Sequence, residues 1–379
     1  MEIKRFLRKI KKHFSDYTPL ITVLISRKNL IHNLNEYKQN YPKIGFAPVL
    51  KSNAYGHGLA EVAEILDREE KPFFVVDSLF EAKILRENGI KSDILVIGYT
   101  SPANITHSKL TGTAFAITSA NQLEEISKLP NKTIYIHLKI DTGMHRQGIA
   151  LSQIDEVIKT IKNSANLVLE GICSHLADAD STDQTFTKKQ ITEWNKVVNI
   201  FKKNFQNIKH FHLAATAGTG YLKNIQGNVA RLGIGLYGAI EGKTLELKPV
   251  LEMKTVISSV KTLGKEEGIG YNLTHKTDKD IKTATVPAGY FEGVDRRLSN
   301  HGFLKIGNRF CPIIGRVSMN ITSIDVTSIS GVKEGEEVIV ISSDKTDENS
   351  ILNIAKMTKT IAYEILVHIP QHLKRIVVD

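Results

Sequence analysis

A single lysine stands where an apolar segment of the chain ends. Residues 44–50 are mostly apolar, and Lys51 follows them, ahead of the small and polar residues Ser-Asn-Ala-Tyr-Gly-His-Gly. A lysine in this place either extends its ammonium group to solvent or is held partly desolvated as a nucleophile or base. By its position alone the first interpretation is favoured, so the surrounding residues have to decide.

Other reactive side chains follow or lie near the ends of further apolar segments. They include no carboxylate pair suited to glycoside hydrolysis and no His, Asp or Glu spacing typical of a metal site. A lysine with hydroxyl and backbone N–H groups nearby suits a carbonyl cofactor that carries a phosphate, such as pyridoxal 5′-phosphate, although aldolases also use a barrel lysine. The candidate residues are Lys51, Tyr55, His137, Lys139, Arg146, His175, Thr216 and Arg231.

Eight short apolar segments alternate with longer helical patterns between about residues 20 and 240. This alternation predicts an α/β fold of the (β/α)8 TIM-barrel type, in which the carboxyl ends of the strands line one mouth. A doubly wound open sheet is less favoured, because no glycine-rich dinucleotide fingerprint follows an early strand. The segments are residues 44–50, 73–77, 93–99, 113–117, 134–141, 167–175, 208–214 and 231–237.

The pattern changes near residue 249, where short β-branched segments separated by turns begin. We therefore predict a mostly β C-terminal domain, residues 246–379, after a barrel domain, residues 18–245. Residues 1–17 are predicted to form a basic N-terminal helix or tail. A solvated terminal segment is the favoured interpretation, and weak contact of residues 1–14 with an acidic membrane surface is the alternative.

The overall composition is that of a globular protein. The net charge is +10, but no base-reading motif with interleaved aromatic residues accompanies it, so nucleic acid is not an expected partner. Two cysteines, Cys173 and Cys311, exclude a disulfide framework and fit a reducing cytoplasm. No apolar run approaches the ~20 residues of a membrane-spanning helix.

Eight motifs in order and spacing resemble the bacterial alanine racemases, which are fold-type III pyridoxal-phosphate enzymes. The resemblance covers nearly the whole chain after residue 20. It implies a cytoplasmic homodimer that racemises alanine and supplies D-alanine for peptidoglycan. The motifs are VLKSNAYGHG (49–58), HLKIDTGMHRQG (137–148), SHLADAD (174–180), VARLGIGLYG (229–238), EGIGYNLTH (267–275), PAGYFEGVDRR (287–297), GRVSMN (315–320) and TIAYE (360–364).

The same resemblance implies a role for each matching residue. Lys51 would carry the cofactor and act as one base, and Tyr271, reaching the mouth of the other subunit, as the second. His175 would hydrogen-bond that tyrosine, and Arg231 would meet the pyridine nitrogen. The phosphate cradle would consist of Tyr55, Thr216, Gly233, Ile234 and Tyr363, and the substrate carboxylate contacts of Arg146 and the partner's Met319. No metal is implied.

Four positions depart from the family pattern. Asn320 replaces an aspartate, His145 and Asn272 replace glycines, and Ala215-Thr216 replaces an asparagine-serine pair. These changes crowd the substrate side more than the cofactor side. Cofactor binding is therefore the firmer expectation, and substrate identity the less firm one.

Several alternatives stay open at this point. Lys139 either bears a carbamate, as in some relatives, or pairs with Asp141 or another nearby acid, while His137 has a structural role. A racemase of serine or another small amino acid is the second enzyme hypothesis, and the bulky Tyr363 favours alanine. A low-turnover pyridoxal-phosphate homeostasis protein would be a single barrel. A decarboxylase would carry a cysteine and an aspartate in its second domain, and Cys311 is not in a matching context.

Overall fold

Two compact units make up the chain. The computed structural model describes residues 18–129, 132–241 and 245–379. One unit comprises residues 26–250, and the other comprises residues 251–378 together with residues 18–25. The predicted basic segment 1–17 lies outside the described residues.

The first unit alternates strands with helices. Strand β1 (Thr22–Ser26) precedes it, and its strands are β2 (Gly45–Pro48), β3 (Phe74–Val76), β4 (Ile94–Val96), β5 (Thr113–Ile117), β6 (Ile134–Lys139), β7 (Leu167–Cys173), β8 (His210–His212) and β9 (Val229–Leu232). The helices are α1 (Arg27–Asn40), α2 (Leu59–Leu66), α3 (Leu79–Glu87), α4 (Pro102–His107), α5 (Ala120–Ser127), α6 (Ile154–Lys162) and α7 (Thr185–Asn204), and a 3₁₀ turn, Ala217–Tyr221, follows β8.

These eight strands, β2 to β9, form a closed parallel barrel. Strands β3 to β8 hydrogen-bond in chain order, and β2 pairs with β9. Parallel bridges from Val49 to Val75 and from Ala215 to Arg231 complete the ring. The predicted (β/α)8 barrel is confirmed.

The hydrophobic pattern of the strands differs between the two units, because strands covered on both faces are apolar throughout and strands covered on one face alternate. Strands β3, β4 and β5 are buried at every residue, as expected for parallel strands covered on both faces. In the second unit, strand β10 (Leu251–Val256) alternates buried and half-buried residues, as expected for a strand with one covered face.

Serine side chains cap the starts of four barrel helices. Each accepts a hydrogen bond from a backbone N–H of the first turn, and the four are Ser26, Ser78, Ser101 and Ser119.

The second unit is mostly β. After β10 come β11 (Ser259–Leu263), β12 (Gly268–Ile269), β13 (His275–Lys276), β14 (Ile281–Val286), β15 (Phe303–Ile306), β16 (Arg309–Pro312), β17 (Thr322–Asp325), β18 (Glu337–Ile341), α8 (Ile351–Met357), α9 (Ala362–Val367) and β19 (Lys374–Val378). One sheet has the order β16-β15-β18-β10-β1-β19, a second has β11-β14-β17, and β12 pairs with β13.

The amino-terminal boundary differs from the predicted range of the barrel domain. The range 18–245 includes β1, but β1 pairs antiparallel with β10, with Thr22 opposite Lys254. The strand therefore belongs to the β-rich unit. Among the described residues, no helix is both long and apolar enough to cross a membrane.

The side chain of Asn33 links α1 by hydrogen bonds to the segment that follows the last barrel strand, at Leu236 and Lys248. Asn33 is fully buried, its Nδ2 donates to the carbonyls of Leu236 at 3.0 Å and Lys248 at 2.8 Å, and its Oδ1 accepts from Lys248 N at 2.8 Å. A buried amide with three such bonds leaves several polar groups unpaired when it is removed.

We expect Asn33→Ala to lower the free energy of unfolding by about 3 kcal/mol, because the buried carbonyl of Leu236 and two backbone groups of Lys248 lose their partner. Denaturant unfolding followed by circular dichroism measures the change. Asn40→Ala is the matched control on the same helix, since, among the residues that the structure describes, Nδ2 of Asn40 bonds only to Glu36 O, at an exposed position. Equal losses in the two variants would contradict the role assigned to Asn33.

Candidate active site

Lys51 lies at the carboxyl end of β2, at the mouth of the barrel. Its side chain is 40% exposed, and its Nζ lies 3.9 Å from Oδ1 of Asp77, which directly follows β3. The lysine is therefore neither buried nor freely solvated, and a carboxylate from the neighbouring strand faces it.

The residues after Lys51 form one left-handed turn. Ser52, Asn53, Ala54 and Tyr55 have φ angles of 56°, 55°, 52° and 52°, respectively. L-residues rarely adopt this region, and almost never four in succession. The half-exposed Lys51 is followed, four residues later, by the buried ring of Tyr55.

Tyr55, Thr216 and a glycine-containing loop after β9 lie against one another. A Cβ atom on Gly233 would meet Oη of Tyr55 at 2.8 Å, and Oγ1 of Thr216 at 4.0 Å. Oγ1 of Thr216 accepts from Gly235 N at 3.2 Å. Within the part of the chain that the structure describes, the N–H groups of Gly233 and Ile234 donate to no protein acceptor. Hydroxyls and free amides in this arrangement suit an anion.

Arg231 lies fully inside the barrel and is held by carbonyl and imidazole groups. Nη1 donates to Nδ1 and O of His212, at 2.7 and 2.6 Å. Nη2 donates to the carbonyls of Ser174 at 2.7 Å and Leu213 at 3.0 Å, and to Nδ1 of His175 at 3.1 Å. Because arginine only donates, both imidazoles accept at Nδ1 and carry their proton on Nε2.

The position of the proton on His212 also determines the hydrogen-bonding role of a third histidine, His137. Nε2 of His212 lies 2.7 Å from Nδ1 of His137, so His212 donates and His137 accepts. Burial, with His210 and Arg231 adding to the effect, holds the pKa of His137 well below its usual value, and burial with Arg231 does the same for His212. The expected structural role of His137 is to support His212, which in turn supports Arg231.

Burial is also the main reason why the pKa of His175 falls to about 3. Arg231, Arg146, Lys139 and Lys51 lower this pKa further. Four cationic side chains thus lie near enough to this one imidazole to lower its pKa, and Arg231 contacts it directly. A site with this charge balance favours anionic groups such as phosphates and carboxylates.

Lys139 is buried at the end of β6 and points to an amide. Its Nζ donates to Oε1 of Gln147 at 3.4 Å, and burial lowers its pKa against the opposing effect of Cys173. Asp141, one of the expected partners, instead accepts from the N–H groups of Gly143 and His145.

His145 occupies a position with left-handed backbone. Its φ angle is 53°, and its Nδ1 lies 3.4 Å from Oδ2 of Asp141. Asn272, the other residue that replaces a family glycine, has φ 59°. Histidine and asparagine are among the non-glycine residues that tolerate this region, so the chain keeps a backbone that favours glycine while adding side chains.

The remaining predicted site residues belong to the β-rich unit. Tyr271 begins the 3₁₀ turn Tyr271–Leu273 and is 69% exposed, and Met319 and Tyr363 are also exposed. Nδ2 of Asn320 donates to Oε1 of the buried Glu292 at 2.7 Å. An aspartate at this position would place two carboxylates in contact, which explains why an amide is accepted here.

Sequence reasoning missed three residues of the mouth: Asp77, Glu81 and His212. His212 lies on β8 and could have been noticed as a second buried polar side chain in the segment His-Phe-His. Glu81 belongs to a Ser-x-x-Glu helix-start signature, Ser78 to Glu81. Asp77 carries no local signal, because only the strand order brings it to Lys51.

The buried histidines predict how stability depends on pH. His137, His175 and His212 are neutral in the folded chain, but an unfolded histidine binds a proton below about pH 6.5. The unfolded state then holds more protons, so stability falls as the pH drops below about 6.5, by about 1.4 kcal/mol per pH unit for each histidine. For His175 this loss continues until the pH reaches about 3.

Urea unfolding at pH 7, 6 and 5 measures this slope. His137→Gln should make it shallower by about 1.4 kcal/mol per pH unit. A slope that the substitution leaves unchanged would show that His137 takes up no proton on unfolding.

Comparison with known proteins agrees with this geometry. The models "Alanine racemase, N-terminal domain" and "Alanine racemase, C-terminal domain" match residues 25–241 and 250–377. Alanine racemase 1 of Caldanaerobacter subterraneus subsp. tengcongensis is 35% identical over 356 residues, 92% of each chain. A solved alanine racemase from Clostridium difficile 630 superposes with a TM-score of 0.88 at 29% identity, covering 96% of this chain and 97% of its own.

The fold also occurs in a protein with another name. Histidine racemase from Leuconostoc mesenteroides superposes with a TM-score of 0.87 at 24% identity, covering 97% of this chain and 100% of its own. At that identity the likeness concerns the fold alone. The two domain matches and the identity to curated relatives show that the chain belongs to the alanine racemase family.

Proposed function

We propose that this chain is an alanine racemase that binds pyridoxal 5′-phosphate and interconverts L- and D-alanine with two bases, Lys51 and Tyr271. The observation that carries the proposal is Lys51 at the barrel mouth, where Lys51, Lys139, Arg146 and Arg231 together lower the pKa of the neutral His175. Such a mouth suits a cofactor phosphate and an amino-acid carboxylate together.

The residues present fit the cofactor. Gly233 leaves the space that a Cβ would fill beside Tyr55, and its N–H and that of Ile234 are free to donate among the residues that the structure describes. Thr216 adds a hydroxyl group. These residues would hold the phosphate, with Tyr363 completing the cradle, and Lys51 would hold the carbonyl carbon. When bound, the cofactor supplies an electron sink for the negative charge that develops at the substrate Cα.

Arg231 would face the pyridine nitrogen as a group that keeps its proton. Its two terminal nitrogens are already fixed by His212, Ser174, Leu213 and His175. A guanidinium does not release a proton at ordinary pH, so it makes the ring less electron-withdrawing than a carboxylic acid partner would. This favours return of the proton to Cα over side reactions.

His175 would support the second base. Its Nδ1 accepts from Arg231, so its proton is on Nε2, and it is neutral because its pKa is about 3. An N–H donor directed at a phenol oxygen stabilises the phenolate. A tyrosine so supported can take and return a proton on the face of Cα opposite Lys51.

Substrate choice follows from the remaining residues. The cation of Arg146 would bind the substrate carboxylate together with the partner's Met319, and the ring of Tyr363 would narrow the pocket, which favours alanine. Serine or another small amino acid is the second candidate, because His145 and Asn272 alter the substrate side. A low-turnover homeostasis protein is less well supported, since residues 251–378 form the further unit that bears Tyr271.

A homodimer with shared sites is part of the proposal. Large apolar side chains of the β-rich unit are exposed and therefore available for burial against a second subunit. In the proposed dimer, Tyr271 of the partner subunit serves the mouth that contains Lys51. We place the enzyme in the cytoplasm, where it would supply D-alanine for peptidoglycan. The exposed side chains include Tyr271, Leu273, Phe291, Met319, Ile321 and Ile361.

Incubation with L-alanine in D2O tests the two-base assignment. We expect D-alanine deuterated at Cα, and a roughly 10²- to 10⁴-fold loss of racemisation in Tyr271→Phe, because a positioned acid–base group is removed. Tyr290→Phe, another exposed tyrosine of the same unit, is the control that should retain activity. Exchange without D-isomer in the natural chain would contradict two-base chemistry. No exchange with L-alanine or L-serine would contradict a racemase.

Mixing two inactive variants tests the shared sites. Lys51→Ala and Tyr271→Phe should each be inactive, but a mixed dimer combines both lesions in one site and leaves the other intact. Random reassociation of a symmetric dimer then restores about a quarter of the sites. Chiral chromatography of the product alanine measures the recovery. Absence of recovery, with mixed dimers shown by native mass spectrometry, would contradict residues from two subunits in each site.

A further inference from the structure

The left-handed turn after Lys51 needs an explanation for its stability. Each non-glycine residue in this conformation costs roughly 1–2 kcal/mol, and four occur in succession, Ser52 to Tyr55. Local bonds support the far end of the turn, where Asn53 Oδ1 accepts from Leu59 N at 2.9 Å. The near end, next to Lys51, requires a partner from elsewhere in the chain.

Glu81 is that partner. Its Oε1 accepts from the backbone N–H of Ser52 at 2.6 Å and of Asn53 at 3.4 Å. Its Oε2 accepts from the N–H of Asp77 at 2.8 Å. One carboxylate in the first turn of α3 thus joins the start of the left-handed turn to the end of β3. Hydrogen bonds to an ionised acceptor are stronger than those between neutral groups.

We propose that Glu81 is a positioning residue for Lys51, whose carboxylate holds the left-handed turn and thereby fixes the directions of Lys51 and Tyr55. The inference rests on the proposed function for the role of Lys51 itself. It assigns to Glu81 no contact with substrate or cofactor.

Comparison with α5 separates this role from ordinary helix capping. In both helices a serine accepts from the N–H three residues on, Ser78 from Glu81 and Ser119 from Gln122. Oε1 of Gln122 accepts from Thr118 N at 3.0 Å, the position equivalent to Asp77 N. A neutral amide is therefore sufficient for the cap. The second carboxylate oxygen of Glu81 makes the additional bonds to the turn after Lys51.

Asp77 is fixed by the same carboxylate. Gly98 N donates to Asp77 O at 2.9 Å, and a Cβ on Gly98 would meet that oxygen at 2.3 Å, so Asp77 is confined from both sides. Asp77, the counter-ion of Lys51, and the turn that follows Lys51 are consequently both held by the carboxylate of Glu81. Loss of Glu81 releases both at once.

Cofactor loading tests the proposal without relying on turnover. Pyridoxal 5′-phosphate is added to the cofactor-free chain, and the visible absorbance of the lysine-bound cofactor is followed with time. We expect Glu81→Ala to slow loading by roughly tenfold or more, since a displacement of about 1 Å at a reacting group is sufficient for losses of this order. Glu81→Gln, which keeps one acceptor oxygen, should be intermediate.

Gln122→Ala is the matched control. It removes the equivalent cap from α5, so thermal unfolding should show a loss of stability in both variants, but loading should stay at the natural rate. In Glu81→Ala, a second substitution Ser52→Gly should recover part of the loading rate, because glycine adopts the left-handed region without cost. Should Glu81→Ala not fold, Glu81→Gln carries the comparison.

The outcomes are distinguishable from failure of the proposed function. If the natural chain does not load the cofactor, the role of Lys51 fails first. If the natural chain loads and racemises while Glu81→Ala and Glu81→Gln load as fast as Gln122→Ala, the positioning role of Glu81 is overturned. Recovery by Ser52→Gly supports the strained turn as the route by which Glu81 acts.

Discussion

The buried guanidinium of Arg231 is the group on which the barrel mouth depends. A charge inside a protein is costly unless hydrogen bonds replace its water, and here three backbone carbonyls and two imidazoles do so. Burial, and after it the positive charge of Arg231, keeps the adjacent imidazoles neutral. The N–H groups of Arg231 determine which nitrogen of each imidazole carries the proton. The order of donors from Arg231 through His212 to His137 follows from that one constraint.

The mouth combines this rigid interior with a strained rim. The rim residues Ser52 to Tyr55 have left-handed backbone, and His145 has it as well. Strain of this kind persists only where surrounding bonds over-determine the conformation. At the first site Glu81 supplies those bonds, and at the second Asp141 does, through Gly143 and His145. Both segments carry residues proposed to meet the cofactor or the substrate.

The fold by itself does not determine which substrate is bound, and the residues of the site contribute more to that choice. The same architecture is found in a histidine racemase at 24% identity, so the barrel and the β-rich unit leave the substrate side chain undetermined. The departures expected from the family pattern are local: His145 beside Arg146, Asn272 after Tyr271, and an amide at Asn320, which bonds to Glu292. Each change adds side-chain atoms or removes charge on the proposed substrate side, while the residues proposed for the cofactor keep their hydroxyl and glycine character.

The sequence by itself determined the eight barrel strands, the change to β structure near residue 249, and the position of Lys51, because apolar periodicity and short motifs are local properties. It placed β1 in the wrong unit, since pairing with β10 joins segments more than two hundred residues apart. Tertiary structure alone decided that Asp77 and Glu81 lie at Lys51 and that His212 links Arg231 to His137. Those contacts depend on strand order and side-chain direction. A hydrogen bond between side chains of neighbouring strands produces no periodic pattern in the sequence from which it could be predicted.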